Sequence, residues 1–184
     1  TPWQMGFACM NYAVLNGVKL FRQTKVIGID KNENYTVHTT QGVFESKCVI
    51  NCTGLNGVDV AKYHDPNSEH QLEFRKGEYQ VSDIRDESYL NHVIYPMPSK
   101  LGKGVLALKT IEGNLMFGPT SYVIDNRYDF STTVNGLNEV DSKISQIIKP
   151  LAKNRMIRQF AGVRPGSITK DFIIENKDGF INVI

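Results

Sequence analysis

The sequence predicts an α+β protein, rich in short strands and poor in helices. Three observations carry that expectation. Apolar and polar residues alternate with period two through many short segments, Gly, Asn and Pro punctuate those segments as turns, and a sustained 3.6-residue apolar face occurs in only one stretch. Composition agrees with a packed domain: of 184 residues, 41% are hydrophobic. With 21 Lys plus Arg against 19 Asp plus Glu, the net charge of +2 is too small to support a grip on nucleic acid built on charge. Fifteen Gly without period, 3 Cys and 10% aromatics exclude collagen, coiled coil, a disulfide scaffold and disorder.

Taken in order, Gly6 to Asn16 places Phe7, Met10, Tyr12, Ala13 and Val14 at three-to-four spacing, with Asn16-Gly17 as a stop, and predicts a short helix. Val18 to Phe21 and Lys25 to Asp30 alternate as strands. Lys31-Asn32-Glu33-Asn34 turns the chain into Tyr35 to Thr40, and Gln41-Gly42 turns it again into Val43 to Lys47. Cys48-Val49-Ile50-Asn51-Cys52 is apolar enough to read as a strand buried on both faces, so this part is a β-meander feeding a buried strand. Longer strands are expected at Leu72 to Ser82, His92 to Met97, Gly104 to Thr110, Gly113 to Phe117 and Ser121 to Ile124. Turns fall at Gly102-Lys103-Gly104 and Glu112-Gly113-Asn114. Val140, Ile144, Ile147, Ile148 and Leu151 share one helical face ahead of Pro150, the strongest helix pattern in the chain. Ile157 to Val163, Phe172 to Glu175 and Phe180 to Ile184 return to strand.

Between Lys62 and Glu73 the composition shifts to His, Asp, Asn and Ser, and a junction is placed there, giving domains at 1–60 and 61–184. The second is expected to be built on a large mixed or antiparallel sheet with few helices. Because the chain opens at Thr1 and the apolar run Gly179 to Ile184 has no polar exit, the sequence is expected to be a piece of a larger protein. Cys9, Cys48 and Cys52 form no Cys-x-x-Cys pair and no zinc spacing, and are expected to be buried thiols in a reducing cytosol; a reactive thiol at Cys52, exposed by its glycine-containing turn, is the alternative. His38, His64, His70 and His92 make no metal pattern, and no nucleophile–base pair or Gly-x-Gly-x-x-Gly is present.

Three segments carry candidate chemistry. Val49-Ile50-Asn51-Cys52-Thr53-Gly54 is a strand running into a small-residue turn, a geometry that lets backbone approach a dinucleotide, though an ordinary turn reads the same way. Phe160-Ala161-Gly162-Val163-Arg164-Pro165-Gly166 sets an arginine in an apolar, extended segment, where its fork suits a carboxylate or phosphate; a structural ion pair with Asp171 or Glu175 is the alternative. Arg75-Lys76-Gly77-Glu78-Tyr79 opens a long strand with two cations and an aromatic hydroxyl, and a solvated edge strand is the plainer reading.

In this order and spacing the segments resemble the FAD-dependent oxidoreductases of the D-amino-acid oxidase and glycerol-3-phosphate dehydrogenase superfamily. The resemblance is carried by Asn16-Gly17-Val18 with Lys25-Val26, Tyr35-x-Val37-x-Thr39-x-x-Gly42, Val49 to Leu55, Lys76-Gly77-Glu78-Tyr79, Tyr95-Pro96-x-Pro98, Gly113-Asn114-x-x-x-Gly118-Pro119, and Ala161-Gly162-Val163-Arg164-Pro165 before Asp171-Phe172. Within it, the subgroup of L-2-hydroxyglutarate oxidase and the anaerobic glycerol-3-phosphate dehydrogenase large subunit is the nearest likeness.

The resemblance implies that 1–60 is a partial FAD-binding domain, with Val26 near the adenine and Cys52, Thr53 and Gly54 passing the cofactor, and that 61–184 is the substrate domain. It implies Arg164 as the clamp for a small anionic substrate, with Tyr79 and Thr110 on strands facing substrate or flavin. The expected reaction is oxidation of glycerol 3-phosphate or a 2-hydroxy acid by hydride transfer to FAD. No general base is identifiable, and the electron acceptor, whether oxygen, a membrane-associated quinone or a partner subunit, stays open. A cytoplasmic location, peripheral to the membrane at most, is expected. The family's phosphate loop lies outside this sequence, so the chain alone is expected to hold FAD weakly or not at all. A noncatalytic β-rich anion-binding module is the other reading.

Overall fold

The computed structural model describes residues 2–83, 90–97, 104–148 and 156–184. The chain divides into two compact units, Thr1–Glu69 with Phe172–Ile184, and His70–Asp171. The first differs from the expected 1–60 in its later boundary and in taking in the C-terminal segment. A helix that the sequence does not announce extends it past residue 60, and the last strands return to it because they pair with strands near the start.

In the first unit, helix α1 (Pro2–Leu15) starts earlier than the pattern from Gly6 suggested. Pro2 fits a first helical turn, where its missing N–H is no loss. The stop at Asn16-Gly17 is as expected: Gly17 takes φ +90. Its N–H and that of Val18 close onto Val14 and Ala13 at 3.0 and 3.1 Å. Val18 to Phe21 forms no strand, and Phe21 instead meets the ring of Phe44 edge-on at 4.7 Å. Strands β1 (Val26–Lys31), β2 (Tyr35–Thr39) and β3 (Gly42–Ser46) make the expected antiparallel meander, in register through Ile29↔Val37 and Val37↔Phe44.

Strand β4 (Val49–Asn51) leaves that meander and joins another sheet. A short 3-10 turn (Gly54–Asn56) and helix α2 (Gly57–His64) follow it. Only eight residues long and polar at Asp59 and Lys62, α2 lacks the periodic apolar face that would announce it, yet it buries Val60 and Ala61. The C-terminal hairpin, β10 (Ile174–Lys177) and β11 (Phe180–Val183), closes through Asp178-Gly179, both at positive φ, and β11 pairs in parallel with β4. β4 is therefore not buried on both faces: Asn51 is buried but Ile50 is 63% exposed. Ile29, Tyr35, Val60 and Phe180 form the core, and the Tyr35 hydroxyl donates to the carbonyl of Asp178 at 2.8 Å. All three cysteines are exposed rather than buried: Cys9 lies on a helix with no buried residue, Cys48 in the β3–β4 turn, and Cys52 past the end of β4, where the glycine-containing turn exposes it as the alternative reading had it.

Among the described residues the second unit is one antiparallel sheet carrying one helix. Strand β5 (Leu72–Ser82) is its axis. β9 (Met156–Ser167) pairs with it along its whole length, while β7 (Leu115–Gly118) and β8 (Tyr122–Ile124) share its other edge and β6 (Leu106–Lys109) pairs with β7. The strand expected at His92 to Met97 is reduced to a single bridge, Ile94↔Ala107. Helix α3 (Val134–Ile144) overlaps the stretch expected at Val140 to Leu151 but starts six residues earlier, because Thr133 caps it, its hydroxyl accepting from the Gly136 N–H at 3.0 Å. The expected turn residues Gly102 and Lys103, and also Pro98, Pro150 and Leu151, lie outside the described residues.

Alternation along β5 sorts the sheet into two faces. Ala107, Leu115 and Phe117 point to one face, where they pack with Leu90, Val105, Val140 and Ile144; full burial of Leu115 and Phe117 contributes about 1.5–3 kcal/mol each. Among the described residues no helix is long and apolar enough to cross a membrane.

Candidate functional site

The helix-covered face of β5 is polar as well as apolar. Lys76, Glu78, Gln80 and Ser82 are all buried. The Lys76 ammonium donates to Asp129 Oδ2 at 2.8 Å and lies 3.9 Å from Glu78 Oε1. Glu78 accepts from the Thr133 N–H at 2.7 Å and from its hydroxyl at 2.9 Å, which sets a carboxylate at the start of α3, where the helix dipole favours it. Gln80 donates to the Leu137 carbonyl at 2.9 Å. These groups are consumed by the fold.

The other face holds the candidate site. Register places Arg75 opposite Arg164, Gly77 opposite Gly162 and Tyr79 opposite Phe160. The Tyr79 and Phe160 rings stack in parallel, 7° apart in plane and 4.9 Å between centroids. On the neighbouring strand, a Cβ on Gly118, which has φ +136, would come within 2.6 Å of the Tyr79 ring, so only glycine lets β7 approach this closely. Tyr79 is thus held between Phe160 and the backbone of Gly118, and its hydroxyl has no hydrogen-bond partner among the described residues. Burial raises its pKa and the Arg164 charge opposes that rise, so the phenol stays neutral and able to donate at ordinary pH.

Arg164 is exposed, and no hydrogen bond or ion pair among the described residues engages its guanidinium. Its partner position is different: Arg75 donates to Glu73 Oε1 at 2.7 Å and reaches Ser121 Oγ at 3.4 Å. Two like charges directly opposite across strands destabilise a sheet unless one is compensated. Here Glu73 compensates Arg75 and leaves the other fork open. Thr110 follows β6, continuing the alternation that puts Leu106 and Leu108 on this face; its N–H donates to the Asn114 carbonyl at 2.8 Å, and its hydroxyl is buried with no partner among the described residues.

Sequence reasoning named Arg164, Tyr79 and Thr110, and alternation brings all three to one face. It missed Phe160 and Gly162 as site members. The signal was present in the i, i+2, i+4 spacing of Phe160, Gly162 and Arg164, which becomes informative once the alternate positions Ala161, Val163 and Pro165 are known to be partly buried on the other side.

The expected cofactor residues lie in the first unit. The buried Asn51 amide donates to Asn182 Oδ1 at 2.9 Å and to the Gly57 carbonyl at 2.8 Å, tying the carboxyl ends of the parallel strands β4 and β11 to the start of α2. Asn51 Oδ1 in turn accepts from the Thr53 hydroxyl at 2.7 Å. Beyond that knot Cys52, Thr53 and Gly54 are exposed, with Gly54 at φ +56 and open space where a Cβ would stand. The edge past the carboxyl ends of parallel strands is where nucleotides bind in open α/β sheets, and an exposed glycine turn there fits a flavin nucleotide. Val26 opens β1 and packs partly against the core cluster, so less of it is free to meet a ligand.

The second unit thus carries a sheet with one helix-covered and one cationic-aromatic face, and the first unit carries an exposed glycine turn past the ends of two parallel strands, features that a flavin-linked redox protein would use. The chain belongs to the FAD dependent oxidoreductase family (DAO), which it matches over residues 2–184. It is 36% identical over 186 residues to a glycerol 3-phosphate dehydrogenase of Caloramator mitchellensis, covering 99% of this chain and 38% of that protein. An L-2-hydroxyglutarate dehydrogenase of Indibacter alkaliphilus is 26% identical over 141 residues, 73% of this chain and 34% of its own. The structure of dithionite-reduced L-alpha-glycerophosphate oxidase from Mycoplasma pneumoniae with FAD bound superposes with a TM-score of 0.82 at 27% identity, over 93% of this chain and 47% of that one. The chain spans less than half the length of each of these relatives.

Proposed function

We propose that this protein takes part in the FAD-dependent oxidation of a small anionic alcohol, with glycerol 3-phosphate the favoured substrate. The observation that carries the reading is the unengaged Arg164 guanidinium on the open sheet face, beside a fixed and unpartnered Tyr79 hydroxyl. A planar fork with both N–H rows free binds a phosphate or carboxylate bidentately, and Arg164 would hold the substrate's anion in that way. Tyr79, kept neutral by burial, would donate a hydrogen bond to a substrate oxygen. Thr110 offers a further hydroxyl on the same face. FAD, when bound, supplies the acceptor for the two electrons removed from the substrate carbon. Thr53 and Gly54, with Cys52 and the exposed edge of Val26, are the residues of this chain that would hold it.

Two of the relatives, the Caloramator dehydrogenase and the Mycoplasma oxidase, act by name on glycerol 3-phosphate, and the weaker match by name on L-2-hydroxyglutarate. The test is direct. Full-length protein should purify yellow and bleach on anaerobic addition of glycerol 3-phosphate, more readily than with L-2-hydroxyglutarate; the same assay with and without oxygen reads the electron acceptor. Protein that takes up no FAD, or a flavin that neither substrate reduces, overturns the reading.

A further inference from the structure

The glycines of the second unit do not all have the same reason to be glycine. A Cβ on Gly77 would fall 2.7 Å from Pro119 Cβ and one on Gly118 would strike Tyr79, so close packing inside the chain demands both. Gly136 is packed under Glu78, with a Cβ 2.4 Å from its carboxyl carbon. Gly162 and Gly166 on the site face have no such demand: both are exposed and neither has a positive φ, and while a Cβ on Gly166 would make an ordinary contact with the Glu73 carbonyl at 3.9 Å, one on Gly162 would meet no atom of another described residue within 4 Å. A glycine in the interior of a twelve-residue strand weakens that strand, and no contact among the described residues offsets the cost.

Its surroundings supply a reason. Gly162 sits between Arg164, two residues toward one end of β9, and Phe160, two residues toward the other, all three on the open face. The Tyr79–Phe160 stack forms a wall on one side and the free guanidinium an anchor on the other, leaving bare backbone between. A ligand whose anion is held at Arg164 and whose chain runs toward the Tyr79–Phe160 wall would have that chain laid over Gly162.

Resting on the proposed function, we infer that Gly162 is a specificity-determining residue: the absence of its side chain sets the depth of the site and admits the carbon chain of the substrate next to the anion anchor. The substrate class that follows is a short-chain anion, with the reacting carbon a few bonds from the charge.

Full-length flavoprotein with Gly162→Ala and Gly162→Val, beside wild type, separates the possibilities. Thermal midpoint, FAD content, KM and kcat for glycerol 3-phosphate, and competitive inhibition by inorganic phosphate are measured together. The inference expects an unchanged or slightly raised midpoint and unchanged FAD content. KM should rise about tenfold or more for Ala and further for Val, since a displacement near 1 Å at a reacting group is costly. Inhibition by inorganic phosphate, which needs only Arg164, should stay within about twofold, and this split is one that a purely structural role would not produce. An unchanged KM overturns the inference. So does a fall in midpoint with KM unchanged, which would mean that polypeptide covers Gly162, or a loss of FAD in proportion to activity, which would place the cofactor there. Wild type inert toward both glycerol 3-phosphate and L-2-hydroxyglutarate overturns the functional reading and this inference with it, whereas an active wild type with an unaffected variant removes the inference alone.

Discussion

On one face of β5, Lys76, Glu78 and Gln80 are buried, and every one has a partner on α3 or on the segment leading to it. On the opposite face, one residue along, Tyr79 and the Arg164 aligned near it carry equally polar groups with no partner among the described residues. A single strand thus presents the same kinds of side chain in two roles. Buried polar groups must be satisfied because desolvation penalises them, so full satisfaction marks groups that serve the fold. Groups fixed in place but left unsatisfied are the ones available to a ligand. The comparison makes the site recognisable from hydrogen bonding alone.

The largest effect expected is on the satisfied face. Glu78→Ala would leave Lys76 with Asp129 alone and orphan the Thr133 N–H at the start of α3. Removing one member of a buried charged network costs about 3–5 kcal/mol, and a denaturant titration of the full-length protein should register a loss of that size. A loss under about 1 kcal/mol would show that this face does not serve the fold as described.

Second is Arg164→Ala on the open face. It should lower kcat/KM about a hundredfold or more while leaving stability within about 0.5 kcal/mol and FAD content unchanged. Arg164→Lys keeps the charge but not the fork and should recover only part of the activity. If stability falls with activity, Arg164 belongs with Glu78 among the structural groups and the distinction between faces fails.

How far this distinction could be read from sequence follows from the same residues. The alternation in Leu72 to Ser82 announced the strand with its observed ends, because a long central strand satisfies its own pattern. Arg164 stood out because an arginine in an apolar extended segment needs an anion. The division of β5 into a satisfied and an open face was not legible, since Glu73, Arg75, Lys76 and Glu78 look alike until Thr133 and Asp129, more than fifty positions away, are brought beneath only one side. The expected burial of β4 failed for a similar reason: Val49-Ile50 is apolar, but among the described residues its single strand neighbour is β11 and Ile50 faces outward. Helix α2 was missed because eight residues hold too few periods to be read.

A smaller effect tests the open face at its aromatic side. Tyr79→Phe keeps the stack on Phe160 and the fit against Gly118 but removes the hydroxyl. Since that hydroxyl has no partner among the described residues, stability should hold, while loss of one hydrogen bond to substrate should lower kcat/KM about fivefold. A drop in stability without a kinetic change would give the hydroxyl to the fold instead.

The smallest effect is a pH dependence carried by a second tyrosine, on the satisfied face. Tyr122 is in register with Lys76, and its hydroxyl donates to Glu139 on α3. That hydrogen bond to a carboxylate, aided by burial, pushes its pKa from 10.0 up to about 12. The folded state therefore holds the phenolic proton more tightly than the unfolded chain does. The resulting stabilisation is complete below about pH 10 and is lost as pH rises through about 12. Denaturant midpoints measured across that window should fall for wild type and fall less steeply for Tyr122→Phe, which has no phenol to titrate. Parallel slopes would mean that Glu139 does not hold the phenol in solution, and that the partnering which separates the two faces of β5 does not extend to its neighbour β8.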